Sequence, residues 1–222
     1  LTRAGEAVAK QLEKKGWPII TSYELFRVVR AVYASSKKLY LRSRTAKITD
    51  YQRLRRNLFD ANFLSSDIDY RHRAYRVLKI TDLPADDICC LVDPFTYISH
   101  LSAMQRYGIT DRHPQKLHLS RPARGLLGEL IKKKMDDDHE SDDLTHSREF
   151  IPLTVVVHPS RVRGRKVHIF QTVHPGKAIP VRGSFARIAS IGQTFIDMVE
   201  EPSPSRGPIA FAGKPPMGMP GR

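Results

Sequence analysis

The sequence predicts a mixed α/β (α+β) protein in two parts, a basic helix-rich domain over residues 1–80 and a second α/β domain over 88–201. Three observations predict it. Charge is uneven: residues 1–80 hold 18 Lys and Arg against 7 Asp and Glu, whereas 81–222 hold 19 against 16. Apolar residues recur at helical spacing three times before residue 62, and Arg-rich alternation follows. Beyond residue 88, short apolar strand-like runs are interspersed with helical segments. The whole chain has 222 residues, of which 41% are hydrophobic, and carries a net charge of +14. That composition supports real cores and excludes a disordered chain.

In the first part, residues 5–15 read as a helix rich in Ala, Glu and Lys, stopped by Gly16-Trp17-Pro18. Thr21 or Ser22 caps a second helix with Leu25, Val28, Val29 and Val32 on one face, fading at Ser35-Ser36. Residues 37–48 are ambiguous, with Leu39-Tyr40-Leu41 fitting a short strand. Thr49 caps a third helix over 49–61. On its wheel Tyr51, Leu54, Leu58 and Ala61 face inward, Thr49, Gln52, Arg53 and Arg56 face outward, and Arg55 lies on the flank. Residues 69–80 alternate as a strand. Two helices, a basic helix and an arginine-bearing ribbon follow the order of a winged helix-turn-helix.

The acidic stretch 81–87, with Pro84, reads as the boundary. Beyond it, 97–107 reads as a helix ended by Gly108, 116–119 as a strand and 123–134 as a helix. Residues 136–143 carry six acids and read as a solvated loop. A continuous apolar strand at 153–157 is expected to pair with one at 166–173. Residues 189–200 read as an amphipathic helix with Ile191, Phe195, Ile196 and Val199 on one face. The Pro/Gly-rich tail 202–222 reads as flexible.

A pI near 10.0 points to a polyanionic partner. No apolar run approaches the ~20 residues of a spanning helix, and Leu1 to Lys15 is charged, unlike a secretory signal. A cytoplasmic location without membrane contact is expected. Cys89 and Cys90 are adjacent, which suits buried reduced thiols and neither a zinc pair nor a disulfide framework. The His residues of the second part form no H-x-x-x-H or H-E-x-x-H pattern, so no metal and no cofactor is expected.

The outward face of the third helix carries the strongest chemistry. Arg bonds bidentate to guanine and Gln to adenine in the major groove, which makes Gln52, Arg53 and Arg56 candidate base readers. Thr49, Arg55, Arg42, Arg44 and Lys47 flank them. Arg71 and Arg73 on the ribbon suit phosphates or a minor groove. The expected partner is double-stranded DNA, bound by two copies on an inverted repeat. A different class is a metal-dependent nuclease or hydrolase, for which Asp93, Asp111, Asp197, Glu200 and Lys177 are the available groups. A third is a module that holds a protein or RNA partner. Without an acid-x-Lys pair on a strand, no enzymatic activity is expected.

Two motifs add a resemblance. The run Tyr97-Ile98-Ser99-His100-Leu101-Ser102-Ala103, closing with Gly108-Ile109-Thr110-Asp111, resembles a signature stretch of AbiEi-like antitoxins from bacterial type IV toxin–antitoxin systems. Residues 187–198, from Arg187-Ile188-Ala189-Ser190 to Phe195-Ile196-Asp197-Met198, resemble that family's second motif. The resemblance implies an N-terminal winged helix that binds inverted repeats in its own promoter. It also implies a C-terminal domain that opposes a nucleotidyltransferase-like toxin in phage defence. Ser99, His100 and Ser102 are expected to cap a helix and form a buried hydrogen-bond network rather than a catalytic pair.

Overall fold

A computed structural model describes residues 1–35, 45–139 and 150–200. The protein is mixed α/β, with a three-stranded sheet followed by a six-stranded one. The first part runs α1 (Arg3–Lys15), β1 (Ile19–Thr21), α2 (Ser22–Ser35), α3 (Ile48–Asp60), β2 (Leu64–Asp67) and β3 (Arg71–Val77). Its strands are antiparallel in the order β1-β3-β2. The helices begin where the local chemistry allows. Thr2 Oγ1 accepts the Gly5 N–H at 3.1 Å, and Gly16 closes α1 at φ +67. The Glu24 N–H bonds Thr21 Oγ1 at 3.3 Å. β1 is three residues long, too short for its alternation to show in sequence.

The small sheet divides its side chains between two cores. Ile20, Tyr75 and Val77 join Val8, Leu12, Phe26, Val29, Leu54 and Leu58 beneath the three helices. Ile19, Tyr70 and Ala74 point the other way, into a core with Ile88, Cys89, Ile98, Leu117, Leu119 and Ile188. Full burial of each such aliphatic side chain contributes roughly 1.5–3 kcal/mol.

The second part runs α4 (Ala85–Val92), β4 (Tyr97–Ile98), α5 (His100–Arg106), β5 (Lys116–Pro122), α6 (Arg124–His139), β6 (Arg161–Val162), β7 (Arg165–Thr172), β8 (Ala178–Pro180), β9 (Arg187–Ala189) and α7 (Ile191–Glu200). Its sheet order is β6-β7-β5-β4-β9-β8, with β5–β7 and β4–β9 parallel and the other pairs antiparallel.

Several expectations change here. The stretch 81–87 does not act purely as a linker, because α4 starts at Ala85 and buries Asp86 and Asp87. Asp86 pairs with Arg106. Asp87 Oδ1 accepts the backbone N–H groups of Phe185 at 2.6 Å and Ala186 at 3.1 Å. Residues 136–138, read as loop, are the last turn of α6, and Asp138 pairs with Arg27 at 3.0 Å and Lys134 at 3.1 Å. Residues 140–143 and the tail 202–222 lie outside the described residues. Residues 153–157 form no strand; β7 pairs with β5 and β6 instead. Leu153 and Val156 are nonetheless buried, so an apolar run here reports burial and not strand pairing. α7 buries Thr194 and Asp197 and exposes Ile191, Phe195, Ile196 and Val199, the reverse of the amphipathic reading.

Arg163 ties the two parts together. It sits with Gly164 in the two-residue turn between β6 and β7, both at positive φ (+49 and +77), as a type I′ hairpin turn requires. Its guanidinium reaches across to Asp67 (Nη2–Oδ2 2.7 Å), Asp69 (Nη1–Oδ2 2.6 Å) and Asp82 (Nε–Oδ2 2.9 Å). Asp67 ends β2 and Asp69 lies in the turn that joins it to β3, and the Asp67 side chain is fully buried. Five fixed donors suit this multidentate role. Burial works against the charge of Arg163, but the hydrogen bonds it donates to Asp67 and Asp69 outweigh this and raise its pKa. Arg163→Ala leaves Asp67 and Asp69 without their cation, while Asp82 keeps its pair with Arg76 at 2.5 Å. We expect a loss of about 3–5 kcal/mol in urea unfolding, with Arg163→Lys recovering only part of it because a single ammonium cannot reproduce the fork.

Candidate nucleic-acid interface

α3 is seated by three contacts. Tyr51, Leu54 and Leu58 are buried in the first core, and Phe26 meets Tyr51 edge to face at 5.7 Å. Asn57 Oδ1 accepts the backbone N–H of Thr2 at 3.0 Å, which fixes α3 against the start of α1. That crossing depends on Gly5, where a Cβ would lie 2.6 Å from Asn57 Oδ1. At the N-terminus the Asp50 carboxylate accepts the Lys47 N–H at 3.1 Å, so Lys47, not Thr49, holds the cap position. An acid there also meets the positive end of the helix dipole. The helix ends at Asp60, and Ala61 is exposed beyond it.

The opposite face points to solvent. Lys47, Thr49, Gln52, Arg53 and Arg56 are all exposed. Arg53 pairs with Asp50 at 3.1 Å while its side chain stays 73% exposed. Such a pair is weak and readily exchanged for another anion. Neither the Gln52 nor the Arg56 side chain forms a hydrogen bond within the described residues.

Arg55 differs from its neighbours. Its Nη1 donates to Tyr75 Oη at 2.9 Å, and its guanidinium lies about 6 Å from the Tyr51 and Tyr75 rings. Tyr75 Oη is also 2.9 Å from Ser22 Oγ. Burial pushes the Tyr75 phenol up, but its bonds with Ser22 and Arg55 outweigh this and hold it below its ordinary value. Arg55 therefore joins α3 to the sheet instead of joining the outward set. Arg42 and Arg44 lie outside the described residues.

Arg71 and Arg73 are exposed at the start of β3, and Arg71 has φ +52. Arg73 Nη1 approaches the Val157 carbonyl at 3.4 Å. The hairpin they occupy is held against the second part by Arg163, so it is not a free ribbon. The same junction holds Tyr70 Oη 2.7 Å from His158 Nδ1, while Thr96 Oγ1 donates to Asp93 at 2.7 Å. Burial works to raise the Asp93 carboxyl, but bonds with His158 and Thr96 hold it lower.

The motif residues of the second part form a buried network. Ser99, His100, Ser102 and Ser120 are all buried. Ser120 Oγ donates to Ser99 Oγ at 2.7 Å, and Ser99 Oγ lies 2.8 Å from His100 Nδ1. Ser99 thus serves the ring and does not cap α5 with its side chain, contrary to expectation. His100, at φ +50, stacks on Phe170 at 3.6 Å. Arg187 of the second motif donates to three carbonyls at the end of α4, of Cys90 (2.8 Å), Asp93 (2.8 Å) and Thr96 (3.0 Å). Cys89 and Cys90 are free and buried, and burial pushes their thiols up to about 12 and about 11. They are poor nucleophiles. Asp111 is exposed, Asp93 is engaged with Thr96 and His158, and Asp197 lies on α7. Among the described residues no group of three or more His, Cys, Asp or Glu is placed to hold a metal, and no helix is long and apolar enough to cross a membrane.

No family model matches the chain, and no curated protein matches it.

Two outcomes test this geometry. Arg55→Met is expected to cost about 1–2 kcal/mol of stability in denaturant titration, because a charged donor to a buried phenol is lost. Burial, with His168 and Lys116 nearby, lowers His118 to about 4. The unfolded chain therefore binds a proton near pH 6.5 that the folded chain refuses until about pH 4. The stability this provides is complete above pH 6.5 and lost as pH falls to 4, an effect of about 3 kcal/mol. The stability gap between the parent and His118→Gln should shrink across that window.

Proposed function

We propose that this protein is a sequence-specific duplex-DNA-binding regulator, an antitoxin and autorepressor of a type IV toxin–antitoxin operon. The observation that carries the proposal is α3 itself. Its apolar face is anchored by Tyr51, Leu54 and Leu58, and Gln52, Arg53 and Arg56 are held outward on a helix of 13 residues. A helix of that length, about 20 Å, spans the contact a major groove offers. The helix–strand–helix–helix–strand–strand order with a β1-β3-β2 sheet supports the winged helix-turn-helix reading. The excess of Lys and Arg over residues 1–80 supports a polyanionic partner.

In this reading Gln52, Arg53 and Arg56 read bases, while Lys47, Thr49, Arg71 and Arg73 contact phosphates. Two copies bind an inverted repeat in the protein's own promoter in the cytoplasm. The functional partner of the second domain is a nucleotidyltransferase-like toxin, and the resemblance of residues 97–111 and 187–198 to AbiEi-like antitoxins supports that assignment.

Band-shift titration against the promoter fragment and random DNA tests the assignment. Arg53→Ala with Arg56→Ala should abolish the preference, since each bidentate base contact supplies roughly 1–3 kcal/mol of discrimination. A double variant that shifts the promoter as well as the parent would show that α3 is not the reading element.

A further inference from the structure

A cavity of about 250 Å³ opens between β7 and α7. Its walls include His100, Phe170, Thr172 and Val173 on one side and Asp197 and Glu200 on the other. Asp197 is 4% exposed. Its Oδ1 accepts from Gln193 Nε2 at 2.7 Å, but its buried Oδ2 has no hydrogen-bond partner among the described residues. Gly176 makes room for that arrangement, because a Cβ there would lie 2.3 Å from Gln193 Oε1. Glu200 stands one turn further along the same helix at the exposed rim.

The chemistry of this recess is one-sided. Among the described residues its lining holds two carboxylates and no Lys or Arg, in a chain whose net charge is +14. A buried carboxylate oxygen without a donor carries a desolvation cost that a cationic donor would offset. The stacked His100–Phe170 pair supplies an aromatic wall, and planar cations pack well on such surfaces. Val173, 63% exposed, gives an apolar lip for an aliphatic stem.

We propose that this recess binds an alkylguanidinium or alkylammonium group, with Asp197 as its buried counter-ion, Glu200 as the outer acid and Val173 against the stem. Gln193 is a positioning residue that orients the Asp197 carboxylate. Burial pushes the Asp197 carboxyl above its ordinary value, and a bound cation reverses that push. The site is independent of α3 and of the DNA-binding proposal. The same head group occurs on free amines and on arginine side chains of polypeptides.

Calorimetric titration of the full chain tests the site, with butylguanidinium as probe and neutral butylurea as its isostere. Saturable binding of butylguanidinium alone is expected, weakened about tenfold by Asp197→Asn and about threefold by Glu200→Gln. A tripeptide amide with central arginine forms a second arm. Tighter binding than butylguanidinium assigns a polypeptide source, and weaker binding a free small cation. No binding of butylguanidinium, equal binding of butylurea, or undiminished binding by Asp197→Asn overturns the proposal. Should Asp197→Asn fail to fold, the exposed Glu200→Gln variant decides together with amide chemical shifts. Shifts in Thr172 and Val173 on titration support the site, and shifts confined elsewhere refute it.

Discussion

One guanidinium sets the relation between the two halves of this molecule. Arg163 projects from a tight turn of the second sheet into three carboxylates supplied by the first part and by the segment that follows it. Asp82 also pairs with Arg76, but Asp67 and Asp69 depend on Arg163 and repel each other without it. The cluster is therefore formed only when both parts are in place. The Tyr70–His158 contact and the Ile19, Tyr70 and Ala74 side chains of the small sheet reinforce the same junction. Most of what the structure adds to the sequence follows from this docking. The β2–β3 hairpin becomes a fixed structural edge, and its arginines project from a surface whose position the second sheet determines.

Within the first part, α3 divides its arginines by angle around the helix. Arg55 points toward the sheet and satisfies Tyr75, whereas Arg53 and Arg56 point away. The two roles have opposite physical requirements. A structural arginine benefits from a buried acceptor and ring contacts, and an arginine that reads bases, as proposed for Arg53 and Arg56, must stay hydrated and free to exchange partners. The single-turn spacing of a helix lets adjacent residues meet both requirements.

Much of the helical framework was legible from periodicity and caps. α1, α2 and α3 fall within two residues of their expected bounds because Gly16, Thr21 and the Tyr51–Leu54–Leu58 stripe are strong local signals. The strands at 116–119 and 166–173 were legible, but the second pairs with β5 and β6 and not with 153–157. Residues 153–157 were misread because burial without sheet pairing leaves the same apolar trace as a strand. α7 was misread because its apolar stripe is outermost; the wheel identifies a face but not the side on which the core lies. Asp138, read as part of a solvated loop, is held by Arg27, Lys134 and Tyr23, partners up to 115 positions away in sequence. Arg163 carried no warning, since Arg-Gly is not a strong hairpin signature. The outward set of α3 was the part of the site that sequence exposed best, because a wheel is enough to define it.

The sharing of the small sheet between two cores limits how the chain can be dissected. A fragment cut after residue 80 retains every element of the first part, yet it leaves Ile19, Tyr70 and Ala74 with their side chains in water. It also leaves Asp67 and Asp69 without the guanidinium that neutralises them. Such a fragment carries an apolar sheet face beside an uncompensated acidic turn, a surface prone to self-association. The natural unit for biophysical work is accordingly the pair of halves, and an excised N-terminal piece would report on a different surface from the one the intact chain presents.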